Sequence, residues 1–194
     1  SVGTTALGAV GLCFPIIVII TAFSNLFGSG GAPLFSINRG KGNIKKAEAI
    51  MNTSFSMLCI CGVALMVIGM LFASSILVLF GASEEGLSYA YPYMMIYLIG
   101  TVPSMIATGM NPFINAQGYA TSGMLSVTIG AVANLILDPL FIFVFHWGIK
   151  GAAWATVLGQ VVSGVMILIY FWKFSKMQLT RHHLMPVSYT HLTL

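Results

Sequence analysis

The sequence predicts an all-α membrane protein, a polytopic bundle of about five transmembrane helices, on three grounds. Charged residues make up 6% of the chain, against about a quarter in soluble domains. Mean hydropathy is +0.95. Apolar runs recur that meet the length of about 20 residues needed to cross a hydrocarbon layer. The lipid bilayer is therefore the expected partner. The net charge of +4 does not point to nucleic acid, because the basic residues fall in the loops between apolar runs.

The first run covers about residues 5–35, and Pro15 with the cluster Gly28, Ser29, Gly30 and Gly31 is expected to interrupt it. A basic loop follows with Arg39, Lys41, Lys45 and Lys46. The second run spans about 47–80 and ends before Glu84 and Glu85; the third, about 87–114, contains Pro92, Pro103 and Pro112. A turn at 115–122 leads to the fourth run, about 123–145. A tight turn at 146–150 leads to the fifth, about 151–172. The expected division is a membrane bundle over 1–176, a partial first lobe, and a basic tail over 177–194 with His182 and His183 in solvent. Within that tail, 186–194 drops the earlier pattern and resembles a translated cloning adapter, so it is set aside.

Crossings of this order put alternate loops on opposite sides. Arg39, Lys41, Lys45, Lys46, Lys173, Lys176 and Arg181 then share one side, and Lys150 takes the other. The positive-inside bias makes the loops at 39–48 and 173–185 cytoplasmic, in a cell (inner) membrane. The first run then starts outside, and a preceding helix is expected.

Asp138 is the sole ionisable residue of the fourth run. A carboxylate at the centre of a membrane helix costs about 2.5–3.5 kcal/mol on insertion scales and is normally retained for function. Asn134 precedes it by one turn on the same helical face. Pro139 has no N–H, so the carbonyl of Leu135 loses its helical partner and a bend is expected there. With a 1.5 Å rise per residue, Asp138 lies roughly 12 Å from the outer turn, Thr156 about 8 Å and Gln160 about 13 Å. The short connection makes the two helices antiparallel neighbours. A hydroxyl and a second amide thus stand near the level of the acid, at a site for a proton or a small cation. Thr commonly bonds its own helix backbone instead, and an intramembrane amide can simply tie two helices together.

Other features have plainer readings. Asn111 and Asn115 either line a path to the acid or cap an interface. Tyr89, Tyr91, Tyr93 and Tyr97 read first as an interfacial belt, with an aromatic wall for flat cations as the alternative. The methionines read as packing before pocket. Cys13, Cys59 and Cys61 lie in apolar runs, with neither disulfide nor metal-ligand spacing. Neither a nucleophile–base pair nor a carboxylate dyad stands out, so an enzyme is not expected.

A family resemblance rests on five blocks in order: 9–15 ending in Pro15; Gly31 with Gly40, Lys41, Gly42, Asn43 and Ala47; Asn111 with Gly118; Asn134, Leu137, Asp138, Pro139, Leu140, Phe141 and Ile142; and Gly148, Ile149, Lys150, Gly151, Ala152, Ala153 and Thr156. Over about 5–176 the chain resembles the first lobe of a prokaryotic multidrug and toxic compound extrusion (MATE) transporter. The resemblance implies two six-helix lobes, the runs here being the second to sixth helices of the first. It implies export of cationic or amphiphilic small molecules coupled to H+ or Na+, without a cofactor. It also implies that Asn134, Asp138 and Thr156 form the ion site and that Asn111 faces the cavity; Gln160 and Tyr97 are further cavity candidates. The first helix, with another acid, and the second lobe are the expected partners. Two alternatives remain: a lipid or oligosaccharide flippase, for which basic residues should line the cavity, and a membrane assembly subunit that needs no coupled acid.

Overall fold

The computed structural model describes residues 2–174. The basic tail, with Lys176, Arg181, His182, His183 and the segment 186–194, lies outside the described residues. The elements are helical throughout them: α1 (Val2–Gly40), α2 (Ile44–Leu79), α3 (Glu84–Ile99), α4 (Thr101–Ala116), α5 (Ala120–Pro139) and α6 (Gly148–Ile169). Both α5 and α6 run on into a π-helical turn, Leu140–Val144 and Tyr170–Phe174. Four spans are long and apolar enough to cross a membrane, and α3 with α4 makes a fifth, bent by 55°.

Helix starts follow local chemistry. Asn43 accepts from the N–H of Lys46 at 3.3 Å to open α2, and Ser83 accepts from Gly86 N at 3.1 Å to open α3. Glu84 and Glu85 occupy the first turn of α3, where carboxylates complement the helix dipole. At the other end of the bundle Arg39 donates to the carbonyl of Ala116 at 2.8 Å, so the last turn of α1 caps the last turn of α4.

Two expectations about the runs are corrected. The first run is not interrupted: α1 is continuous, with Pro15 and Pro33 inside it. Its glycines serve close packing instead. A methyl on Gly28 would run into the backbone of Gly109, and one on Gly31 would meet Ser54 Oγ at 2.6 Å and Phe113 at 2.8 Å. The third run is not one helix: it breaks at Gly100, while Pro92 and Pro112 lie within continuous helix. Pro103 falls in the first turn of α4, where a missing N–H is tolerated, and there it withholds the donor that would have carried the ladder on from Ile99.

The densest packing is where α1, α2 and α4 meet, with Phe35, Met51, Leu58, Met110 and Phe113 fully buried. Large apolar side chains also cover the outside, among them Leu79, Leu135 and Trp172, while Asn52 and Thr101 are inside at 0% exposure. That distribution suits lipid surroundings, where every backbone polar group is paired within a helix and the outer face is hydrocarbon. α5 lies at the margin of the bundle and packs chiefly on α6.

Candidate functional site

α5 can approach α6 closely because both carry glycine at the crossing. A methyl on Gly130 would stand 2.7 Å from the carbonyl of Gly159, and one on Gly159 would stand 2.8 Å from that of Gly130 and 3.0 Å from the Cβ of Asn134. Further along, Gly151 lies on the backbone of Phe141. The helices are thus antiparallel, and Asn134 and Asp138 fall in the register facing 151–159 of α6. Only three residues of α5 are buried, Gly123, Ser126 and Gly130. With Asn134 they form an inward stripe of small and polar residues at helical spacing.

Between α4, α5 and α6 lies a cavity of about 530 Å³, in the size range of small-molecule pockets. Asn111 and Thr108 line it from α4, Asn134 from α5, and Thr156, Gln160 and Ser163 from α6. None of its lining residues is basic or acidic. A second hollow, bounded by Asn115, Thr121 and Met124, shares Asn111 and Val127 with the first.

Asp138 and Tyr97 are not among the lining residues. Asp138 is half-buried one turn beyond Asn134. Its Oδ1 and the Nδ2 of Asn134 are both shut away from the surface without a hydrogen-bond partner. Buried polar atoms are paired in the great majority of cases, so two orphans one turn apart mark a place shaped for something else. Thr156 faces this level, but its hydroxyl donates to Ala152 O at 2.9 Å. Its acceptor lone pairs are therefore what it has to offer. At Pro139 the expected bend takes another form. The ladder changes to the π form from Leu140 onward, with the N–H of Phe145 reaching back to Leu140 O at 3.0 Å, while the N–H of Leu140 goes to Leu137 O and not to Leu135.

Asn111 is held rather than free. Its Nδ2 donates to Gly123 O at 2.8 Å and so ties α4 to the start of α5, and its Oδ1 accepts from Asn115 of the same helix at 3.1 Å. Gln160 donates through Nε2 to the hydroxyl of Tyr97 at 3.2 Å, and its Oε1 is buried without a partner.

The tyrosines divide by helical face. Tyr93 and Tyr97, four residues apart, are about 95% buried and stacked with ring centroids 6.3 Å apart, whereas Tyr91 is 41% exposed. A belt at the interface is thus corrected for Tyr93 and Tyr97. Tyr93 hydrogen-bonds Thr156, which brings α3 to the site. The reading of the residues alone missed this role. The spacing of Tyr89, Tyr93 and Tyr97 against Tyr91 was the available signal. Met94, Met105 and Met110 are fully buried in the core, and Met124 is 62% exposed.

Residues 1–140 match the MatE family. The chain is 30% identical over 165 residues to the multidrug export protein MepA of Staphylococcus haemolyticus, covering 85% of this chain and 36% of that protein. It is 30% identical over 175 residues to a protein of Shewanella oneidensis named FAD transporter, covering 86% of this chain and 39% of that one. Among solved structures, the inward-facing conformation of a multidrug resistance MATE family transporter of the MOP superfamily superposes with a TM-score of 0.88 at 27% identity. That match covers 94% of this chain and 42% of that one. The chain thus spans well under half the length of these relatives.

Proposed function

This chain belongs to the MatE family of multi-pass membrane transporters, and from that premise we propose that it forms part of a cation-coupled exporter of cationic or amphiphilic small molecules. The observation that carries the proposal is the pair of unpartnered atoms on α5, Asp138 Oδ1 and Asn134 Nδ2. Asp138 takes a proton, or joins the oxygen atoms of Asn134 and Thr156 around Na+. Tyr93, bonded to Thr156, passes the change to α3. The transported molecule occupies the neighbouring cavity, where Asn111 and Gln160 contribute to the wall. The remaining helices of a transporter of the relatives' length act with this chain, and the loop at 39–48 faces the cytoplasm of an inner membrane.

The likeness to a protein named FAD transporter favours a second reading, in which the cargo is a flavin nucleotide. The absence of basic residues in the cavity lining weighs against it, since a pyrophosphate calls for Lys or Arg. The same lining weighs against a lipid or oligosaccharide flippase, and an orphan carboxyl weighs against a mere assembly subunit. The test is flux in proteoliposomes under an imposed Na+ or H+ gradient. Asp138→Asn should abolish ion-driven export of an ethidium-type cation while membrane insertion stays intact. Unchanged export by that variant would remove the proposal.

A further inference from the structure

The break between α3 and α4 is set among features that suit motion. Around it, both neighbouring helices present glycine. A methyl on Gly69 of α2 would meet Leu98 at 2.7 Å, one on Gly62 of α2 would meet Val102 at 3.2 Å, and one on Gly164 of α6 would meet Pro103 O at 3.1 Å. Leu98, Val102 and Pro103 therefore rest on glycine backbone, while at the break itself Val157 and Gln160 of α6 bear on Gly100. Interdigitated side chains hold an angle, and bare backbone lets a packed segment slide.

The polar groups at the break are also left over. No side chain caps the start of α4. The hydroxyl of Thr101, at 0% exposure, has no partner, and neither does Gln160 Oε1. That Oε1 points at Gly100, 2.6 Å from where a methyl would be, with Val157 at 3.0 Å. The other end of the same amide is fixed to Tyr97 on the last turn of α3. An unpaired acceptor thus abuts an uncapped helix start, in a span bent by 55°. A small change of angle that brings the hydroxyl of Thr101, or an N–H of the first turn of α4, to Gln160 would give Oε1 the donor it lacks.

We propose that the break at Gly100 is a joint at which α3 swings against α4, and that Gln160 is the positioning residue that sets its two angles. In the bent state Oε1 is unpaired; in the other it caps α4. α4 is the fixed arm, because Arg39 holds its far end and Gly28, Gly31 and Leu58 pack along it. α3 is the moving arm. It carries Tyr93 against Thr156, so an ion held by Thr156 and the acid would bias the joint. That trigger, and nothing else here, rests on the proposed ion site.

The joint is tested by pulsed electron-spin distance measurement in nanodiscs on the full transporter. Labels are placed at Ser88 and Thr121, both exposed, after Cys13, Cys59 and Cys61 are replaced by Ala. Two distance populations are expected, with a ratio that changes when Na+ replaces choline or when the pH is lowered from 7.5 to 6. Gln160→Leu removes the orphan acceptor and should enrich the bent population by about tenfold, the scale of one unsatisfied buried group. Gly100→Ala crowds Oε1 and should move the ratio the opposite way, a sign reversal that general loosening does not produce. A ratio moved by the variants but by neither ion upholds the joint and removes the ion site as its trigger. A single distance, indifferent to ions and to both variants, overturns the joint, even where ion-driven export is intact.

Discussion

The corner formed by α1, α2 and α4 and the corner formed by α4, α5 and α6 share one helix and little else. In the first, Phe35 and Phe113 meet edge to face with centroids 5.5 Å apart, and Gly28 lets α1 reach the backbone of α4 at Gly109. In the second, α5 touches α6 through glycine, a cavity of about 530 Å³ remains, and Asn134, Asp138 and Gln160 each keep an unpartnered atom. Without a hydrophobic drive between helices inside lipid, close packing supplies most of the association. The first corner has packing and the second gives some of it up. On the proposed reading, stability and function lie on opposite sides of α4.

The largest effect that would sharpen this contrast is on export. Asp138→Asn should remove ion-driven flux altogether, with little change in the thermal unfolding midpoint measured in detergent. Phe113→Ala should do the reverse: a loss of about 3 kcal/mol in stability, as for a buried aromatic, with the residual folded protein keeping its ion dependence. Gly28→Leu should be of similar kind and about 2 kcal/mol, since overpacking drives the α1 and α4 backbones apart. Thr156→Val should cost about 1 kcal/mol in stability, because the buried hydroxyl of Tyr93 loses its partner, although the Thr156 hydroxyl itself bonds its own helix. Ion affinity from the concentration dependence of flux should fall several-fold, and Thr156→Ser should restore it. The smallest effect concerns Asn52. It is wholly buried in α2 with both amide atoms unpartnered, as at the acid but in the packed corner. Asn52→Leu should be neutral or stabilising by up to about 1 kcal/mol with flux unchanged. A loss of flux there would break the division between the two corners.

The extent of each membrane run was readable in the sequence because length and apolarity settle it, and Asp138 was readable because a lone acid in such a run is conspicuous. The break at Gly100 was not. Three prolines in that run competed for it, and a mid-run glycine without its neighbours gives no sign; packing against Gly62, Gly69 and Gly164 becomes visible in space alone. The same holds for Gln160, whose place in the run is legible but whose rotation, seen in space alone, decides that Tyr97 takes one end and Gly100 faces the other. The glycines of α1 carried the opposite ambiguity. A cluster that reads as a bend is, for Gly28 and Gly31, a docking surface.

The claim that the orphaned groups of α5 hold the coupling ion meets its most direct test in infrared difference spectra of the transporter in bilayers, recorded on switching Na+ for choline and on lowering the pH. The account predicts a change in the carboxyl stretch for one or both switches that disappears in Asp138→Asn and persists in Asn52→Leu. A carboxyl signal retained in Asp138→Asn, or none in the unaltered protein while export still depends on the ion, would contradict it.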